Sequence, residues 1–170
     1  MECSPYSLAS TLLANLTANL TDTRGGVTDR TAVYPHTEPA IEWCSMSWVG
    51  VGAIRPAPVA GGRTGTHPSV WAFDLTMGVQ RCYPTMQDGS APPPDAVDSA
   101  ARDVLDDGEA MRRAIVSAFD DEGIEYVLGG WRPIPPQGGA HGSRMDVQVP
   151  ISWGAFVEPR SPMLPGDPRG

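Results

Sequence analysis

Near the start of the chain Leu8, Leu12, Leu13, Leu16 and Leu20 recur at helical spacing, with Ser, Thr and Asn between them. The spacing predicts an amphipathic helix over residues 5–20, begun at Pro5 or Ser7 and ended before Gly25-Gly26, whose apolar face has to dock. A short extended piece around Arg30–Tyr34 follows, and the period then changes from helical to alternating. From Ile41 to Ala53 both faces are apolar, with Ile41, Trp43, Val49 and Val51 on one and Cys44, Met46 and Trp48 on the other. That pattern predicts a strand covered on both sides. Arg55 to Gly65 breaks all periodicity and reads as a loop. Beyond it Trp71, Phe73, Leu75, Met77 and Val79 alternate with Ala72, Asp74, Thr76, Gly78 and Gln80. This is a strand with one core face, the other being wet or in contact with a partner.

Asp95 reads as the N-cap of a second helix, over residues 95–119. Val97, Ala101, Val104, Gly108, Met111, Ile115 and Phe119 trace its apolar stripe. Gly108 interrupts that stripe, which suggests close backbone approach to the sheet. Asp103, Asp106, Asp107 and Glu109 read as a solvated face with Arg102, Arg112 and Arg113, or else Asp106-Asp107 meets a neighbouring subunit. From Gly130 to Ile151 an aromatic segment leads to a glycine-rich reversal. Met145, Val147, Val149 and Ile151 then alternate with polar residues, predicting a half-buried β-hairpin with a long arm.

The order helix, strand, strand, helix, strand, strand predicts an α+β fold. Its form is a single mostly antiparallel sheet of about four strands with two helices on one face. The face of Trp71, Phe73, Leu75, Met77 and Val79 should pack under Val97, Val104, Met111 and Ile115. Residues 1–157 form one domain in this reading, and 158–170 a flexible Pro-rich tail.

Composition narrows the function classes. The 170 residues suit one domain, and a net charge of −8 opposes binding to nucleic acid or anionic lipid. All 12 basic residues are Arg, the mark of a GC-rich genome. Cys44 and Cys82 lie in no C-x-x-C pair and read as small buried apolar residues on strands in preference to a disulfide between them, which implies a reducing, intracellular birthplace. The N-terminus lacks a basic region followed by an apolar run, and no stretch is long enough to span a membrane. Two Asn-x-Thr matches, at Asn15 and Asn19, read as chance on a helix surface.

Candidate chemistry is sparse. His36, His67 and His141 fall in loops, without helical metal-ligand spacing. Cys82, His141 and Asp74 form a nucleophile set of no specificity. The glycine run Gly138–Gly142 precedes a strand, so no helix N-terminus is offered to a phosphate. No catalytic, cofactor or metal residue is assigned. Three irregular arms remain, at Ala53–Pro68, Gln87–Pro94 and Pro133–Ser143. The last, with Trp131, Ile134, Gln137, Gly138, Gly139 and His141, is the candidate inter-subunit surface.

Taken in order over residues 5–155, these features resemble the tail terminator found in the neck of siphovirus-type bacteriophages of actinobacteria. The resemblance is carried by the Leu-spaced helix, by Arg81-Cys82-Tyr83-Pro84, and by the Pro-rich lead into a helix containing Asp103-Val-Leu-Asp-Asp-Gly-Glu-Ala-Met-Arg112. The glycine-rich hairpin leading to Met145-Asp-Val-Gln-Val149 completes it. It implies a mixed α/β structural subunit, without a cofactor, that assembles with itself as a hexameric ring in the virion at the tail–neck junction. Synthesis would be in the host cytoplasm, with no role for a membrane. Such a ring caps the major tail tube protein, stops its polymerisation and offers a surface to head-side stopper and connector proteins, while DNA passes through the lumen without specific binding. Of the other neck proteins, the adaptor is mainly helical and the stopper a smaller β-barrel. A small enzyme acting through Cys or His is the reading from a different class.

Overall fold

A computed structural model describes residues 4–38, 43–57 and 70–152. Its elements run α1 (Pro5–Leu20), β1 (Arg30–Tyr34), β2 (Met46–Pro56), β3 (Val70–Cys82), α2 (Pro94–Ile115), a π-helical turn (Val116–Asp120), β4 (Val127–Gln137) and β5 (Ala140–Ser152). The strands make one sheet of five in the order β1-β2-β3-β5-β4. β1 pairs parallel to β2, and the other neighbours are antiparallel. The fold is therefore α+β with a mixed sheet, one strand richer than the pattern predicted. The added strand is Arg30–Tyr34, an extended segment too short to show an alternation of its own.

α1 starts where Ser4 accepts a hydrogen bond from the Ser7 backbone N–H at 3.0 Å. That satisfies one of the helix's free first-turn donors. Its stripe of Leu8, Leu12, Leu16 and Leu20 is buried. α2 starts one residue earlier than Asp95, with Pro93 as N-cap and Pro94 in the first turn. Proline suits that position because its missing N–H would have no partner there. Asp95 is then a first-turn acid facing the positive end of the helix dipole and not the cap.

Both helices cover one face of the sheet. Leu8, Leu12, Leu16 and Leu20 join Phe73, Leu75, Met77 and Val79 of β3, Met111 and Ile115 of α2, and Met145, Val147 and Val149 of β5 in one core. The predicted packing of β3 with α2 holds for Val104, Met111 and Ile115, but Val97, on the first turn of α2, is exposed. Gly108 does admit a close neighbour from the sheet, but it is the Trp131 side chain of β4 and not a backbone: a Cβ there would sit 2.8 Å from the indole nitrogen.

The expected irregular arm Pro133–Ser143 is instead the regular end of the β4–β5 hairpin. Gly138 and Gly139 close it as a two-residue turn with φ of 57° and 83°, a conformation that glycine adopts without steric cost. Pro135-Pro136 fall where the β4 register shifts between Ile134 and Gln137, a place that tolerates residues without an N–H. The predicted start of β2 at Ile41, most of the arm Ala53–Pro68 with His67, and the tail 158–170 lie outside the described residues.

Candidate functional site

The second face of the sheet, away from the helices, carries a polar lattice set by register. Thr76 of β3 lies opposite Asp146 of β5, and Asp74 opposite Gln148. The Thr76 hydroxyl donates to Asp146 at 2.8 Å, and the Gln148 amide donates to Asp74 at 2.8 Å. Arg132 of β4 pairs with Asp146, and Arg55 with Asp74. Such cross-strand pairs each contribute modestly to stability, and together they specify strand order and register.

At the hairpin end this face is roofed. Trp48 lies opposite Gly78, and its indole lies flat over that glycine, where a Cβ would approach within 2.5 Å. Residues 36–38 cross above Gly50 as a strap, the His36 carbonyl lying against that glycine. From the strap Glu38 reaches Arg144 of β5. Between strap, sheet and the proline segment of β4 is a pocket of about 280 Å³, lined by Glu38, Trp48, Gln80, Arg132, Pro133, Ile134, Pro135, Gln137 and Arg144. Trp48 and Gln80 are 1% and 3% exposed, and the Trp48 indole N–H and the Gln80 carbonyl have no hydrogen-bond partner.

Of the residues the sequence offered as inter-subunit contacts, Ile134 and Gln137 line this pocket and Gly138 stands exposed at the turn beside the partly covered Gly139. Trp131 turns to the other face, against Gly108 of α2. His141 is 8% exposed and faces inward, its ring edge-on to Tyr83 with centroids 5.1 Å apart. Burial holds its imidazole below the usual histidine pKa, while Asp103 and Asp107 oppose that effect and Arg81 adds to it.

Asp107 corrects the solvated-face reading of Asp106-Asp107, since it is fully buried. The Arg81 guanidinium grips its carboxylate with bonds of 2.9 and 2.6 Å and donates to the Gly25 and Gly26 carbonyls at 2.8 Å each. Burial pushes the Asp107 carboxyl up, and the Arg81 hydrogen bonds pull the other way. One side chain thus ties the end of β3 to the middle of α2 and to the turn after α1.

Cys44 and Cys82 are joined in a disulfide, which corrects their reading as unpaired core residues. Register explains it: Met46 pairs with Gln80, so residues two further out on each strand, Cys44 and Cys82, come face to face with Cα atoms 4.5 Å apart. The reducing compartment inferred from unpaired cysteines loses its premise. Cys82, His141 and Asp74 do not converge. Cys82 is in the disulfide, and Asp74 lies eight residues away along β3, roughly 26 Å at the rise of a strand.

Among the described residues no group of three metal-ligating side chains gathers, and no helix is long and apolar enough to cross a membrane. No protein-family model matches the chain, and no curated protein matches its sequence. Sequence reasoning missed Trp48, Gln80, Glu38 and Arg144 as a group. Strand register brings Trp48, Gln80 and Arg144 together and the strap delivers Glu38, and no spacing in the chain signals either.

Proposed function

We propose that this chain is a structural subunit of a phage neck, a tail terminator whose ring caps the tail tube and joins it to head-side connector proteins. What supports the reading is the element order behind the family resemblance, closed by a long hairpin whose outer strand is a sheet edge. That edge carries exposed apolar side chains, with Val127 61% and Leu128 48% accessible. Apolar groups left open on a sheet edge are suited to a neighbouring subunit. The prolines at 133, 135 and 136 remove backbone donors from the rest of the edge, which opposes uncontrolled strand addition and favours contact through side chains. A five-stranded sheet with a 22-residue helix also sits poorly with a mainly helical adaptor or a small β-barrel stopper.

In this reading the subunits pack head to tail in a closed ring, hexameric to match the tube, and the acidic surface lets DNA pass without sticking. Ile134, Gln137 and Gly138 serve as contacts from the hairpin, whereas His141 stays within its own subunit. Removal of the gene from the phage, with complementation in trans, tests the role. The expected particles are filled heads separate from tails, or tubes of irregular length. Normal-length tails joined to heads in the knockout would remove the terminator reading.

A further inference from the structure

We propose that the pocket between the strap and the hairpin binds an acidic side chain carried on an extended peptide segment of a partner protein. Arg144 is the anchor of the site. Its fork-shaped guanidinium matches a carboxylate in two parallel bonds. Its present partner, Glu38, comes from the strap and is 65% exposed at its side chain, whereas Arg144 is 25% exposed. Glu38 therefore stands in for an incoming carboxylate. A pair so open to water is weak, so an exchange of one carboxylate for another loses little. Arg132 is different, because its partner Asp146 is fixed on the neighbouring strand and also accepts from Thr76.

The floor of the pocket selects what is attached to that carboxylate. Trp48 offers an indole N–H and Gln80 a carbonyl, both buried and without partners. Buried polar groups of this kind are satisfied in nearly all proteins, by protein, water or ligand. One donor and one acceptor are the complement of a peptide group, which presents a C=O and an N–H. A bare inorganic anion would satisfy the indole but set its charge against the Gln80 carbonyl oxygen. Pro133 and Ile134 supply an apolar wall for side-chain methylenes. About 280 Å³ is at the small end of ligand pockets and suits one or two residues.

The source of the segment, an adjoining protein of the neck, rests on the reading above. The site does not, and binding by the isolated chain is measured independently of any phage phenotype.

The test uses the full-length, oxidised, nitrogen-15-labelled protein and the capped peptide acetyl-Gly-Glu-Gly-amide. Capped Gly-Gln-Gly and inorganic phosphate are the comparison probes, and Trp48→Phe assigns the indole resonance. The expected result is saturable movement of the Trp48 indole and Gln80 amide signals by the Glu peptide. The Gln peptide should bind about tenfold more weakly, the cost of losing a charged hydrogen-bond partner. Glu38→Gln removes the internal competitor and should tighten binding by up to about fivefold, the range open to a surface pair. Arg144→Gln should abolish it and Arg144→Lys weaken it, with spectral dispersion confirming the fold. The proposal is overturned if Trp48 does not move, if Arg144→Gln leaves the affinity unchanged, or if phosphate binds as well as the peptide and marks an adventitious ion only.

Discussion

At the scale of single residues, the Arg81–Asp107 pair carries the largest consequence. A charge buried with its counter-charge is tolerated, but a buried charge left alone is not. Asp107→Ala strands the Arg81 guanidinium between β3 and α2, and we expect a loss of about 3–5 kcal/mol in a urea denaturation series. An effect as small as that of a surface substitution would show that Arg81 finds water or another acceptor. His141 gives a pH signature. Burial favours its neutral form, so the unfolded chain takes up the proton first as pH falls. The stability it allows is fully present above about pH 6.5 and declines as pH drops through that value toward the lower folded pKa. His141→Gln should flatten the pH 5–7 limb of the wild-type stability profile, and an unchanged slope would place the titration elsewhere.

At the scale of elements, the sheet is held by what each strand presents to the two faces. Leu75 is 1% exposed among the residues of α1, α2 and β5. Leu75→Ala should cost about 2–5 kcal/mol, measured by chemical denaturation. The hairpin is less open to surgery than its glycines suggest. Ala140 and Gly142 are buried and paired with β3, so excising Gln137–Gly142 would remove part of the sheet with the turn. A substitution confined to the surface is the cleaner probe of assembly. Val127→Glu together with Leu128→Glu should leave the thermal midpoint within a few degrees. It should nonetheless prevent ring formation, seen by light scattering or electron microscopy. Intact rings from that double variant would move the interface away from this edge.

For the whole molecule, the disulfide is the long-range constraint. Cys44 and Cys82 are 38 residues apart in sequence, and closing a loop of that length disfavours the unfolded chain by about 4 kcal/mol on the loop-entropy account. Reduction, or Cys82→Ser, should lower stability by up to that amount without changing the fold. Equal denaturation midpoints before and after reduction would mean that the cross-link adds nothing to β2–β3 pairing. The bond also ties Cys44, just ahead of β2, to the last residue of β3.

What the chain determined by itself was whatever a local period can encode. The Leu8–Leu20 stripe, the alternation from Trp71 to Val79, the long stripe ending at Phe119 and the Gly138-Gly139 reversal each state which face is apolar. One-sided elements have few ways to bury those faces, so two helices on one face of a sheet followed. Gly108 announced a close approach because its stripe needed a side chain there and had none. Tertiary structure decided everything that depends on register. A parallel edge strand of five residues is too short to declare itself. Arg81 and Asp107 lie 26 positions apart, the two cysteines 38, and Glu38 and Arg144 over 100. Those distances carry no period. Strand pairing, the packing of α2 on the sheet and the strap over β2 bring such residues within reach of one another.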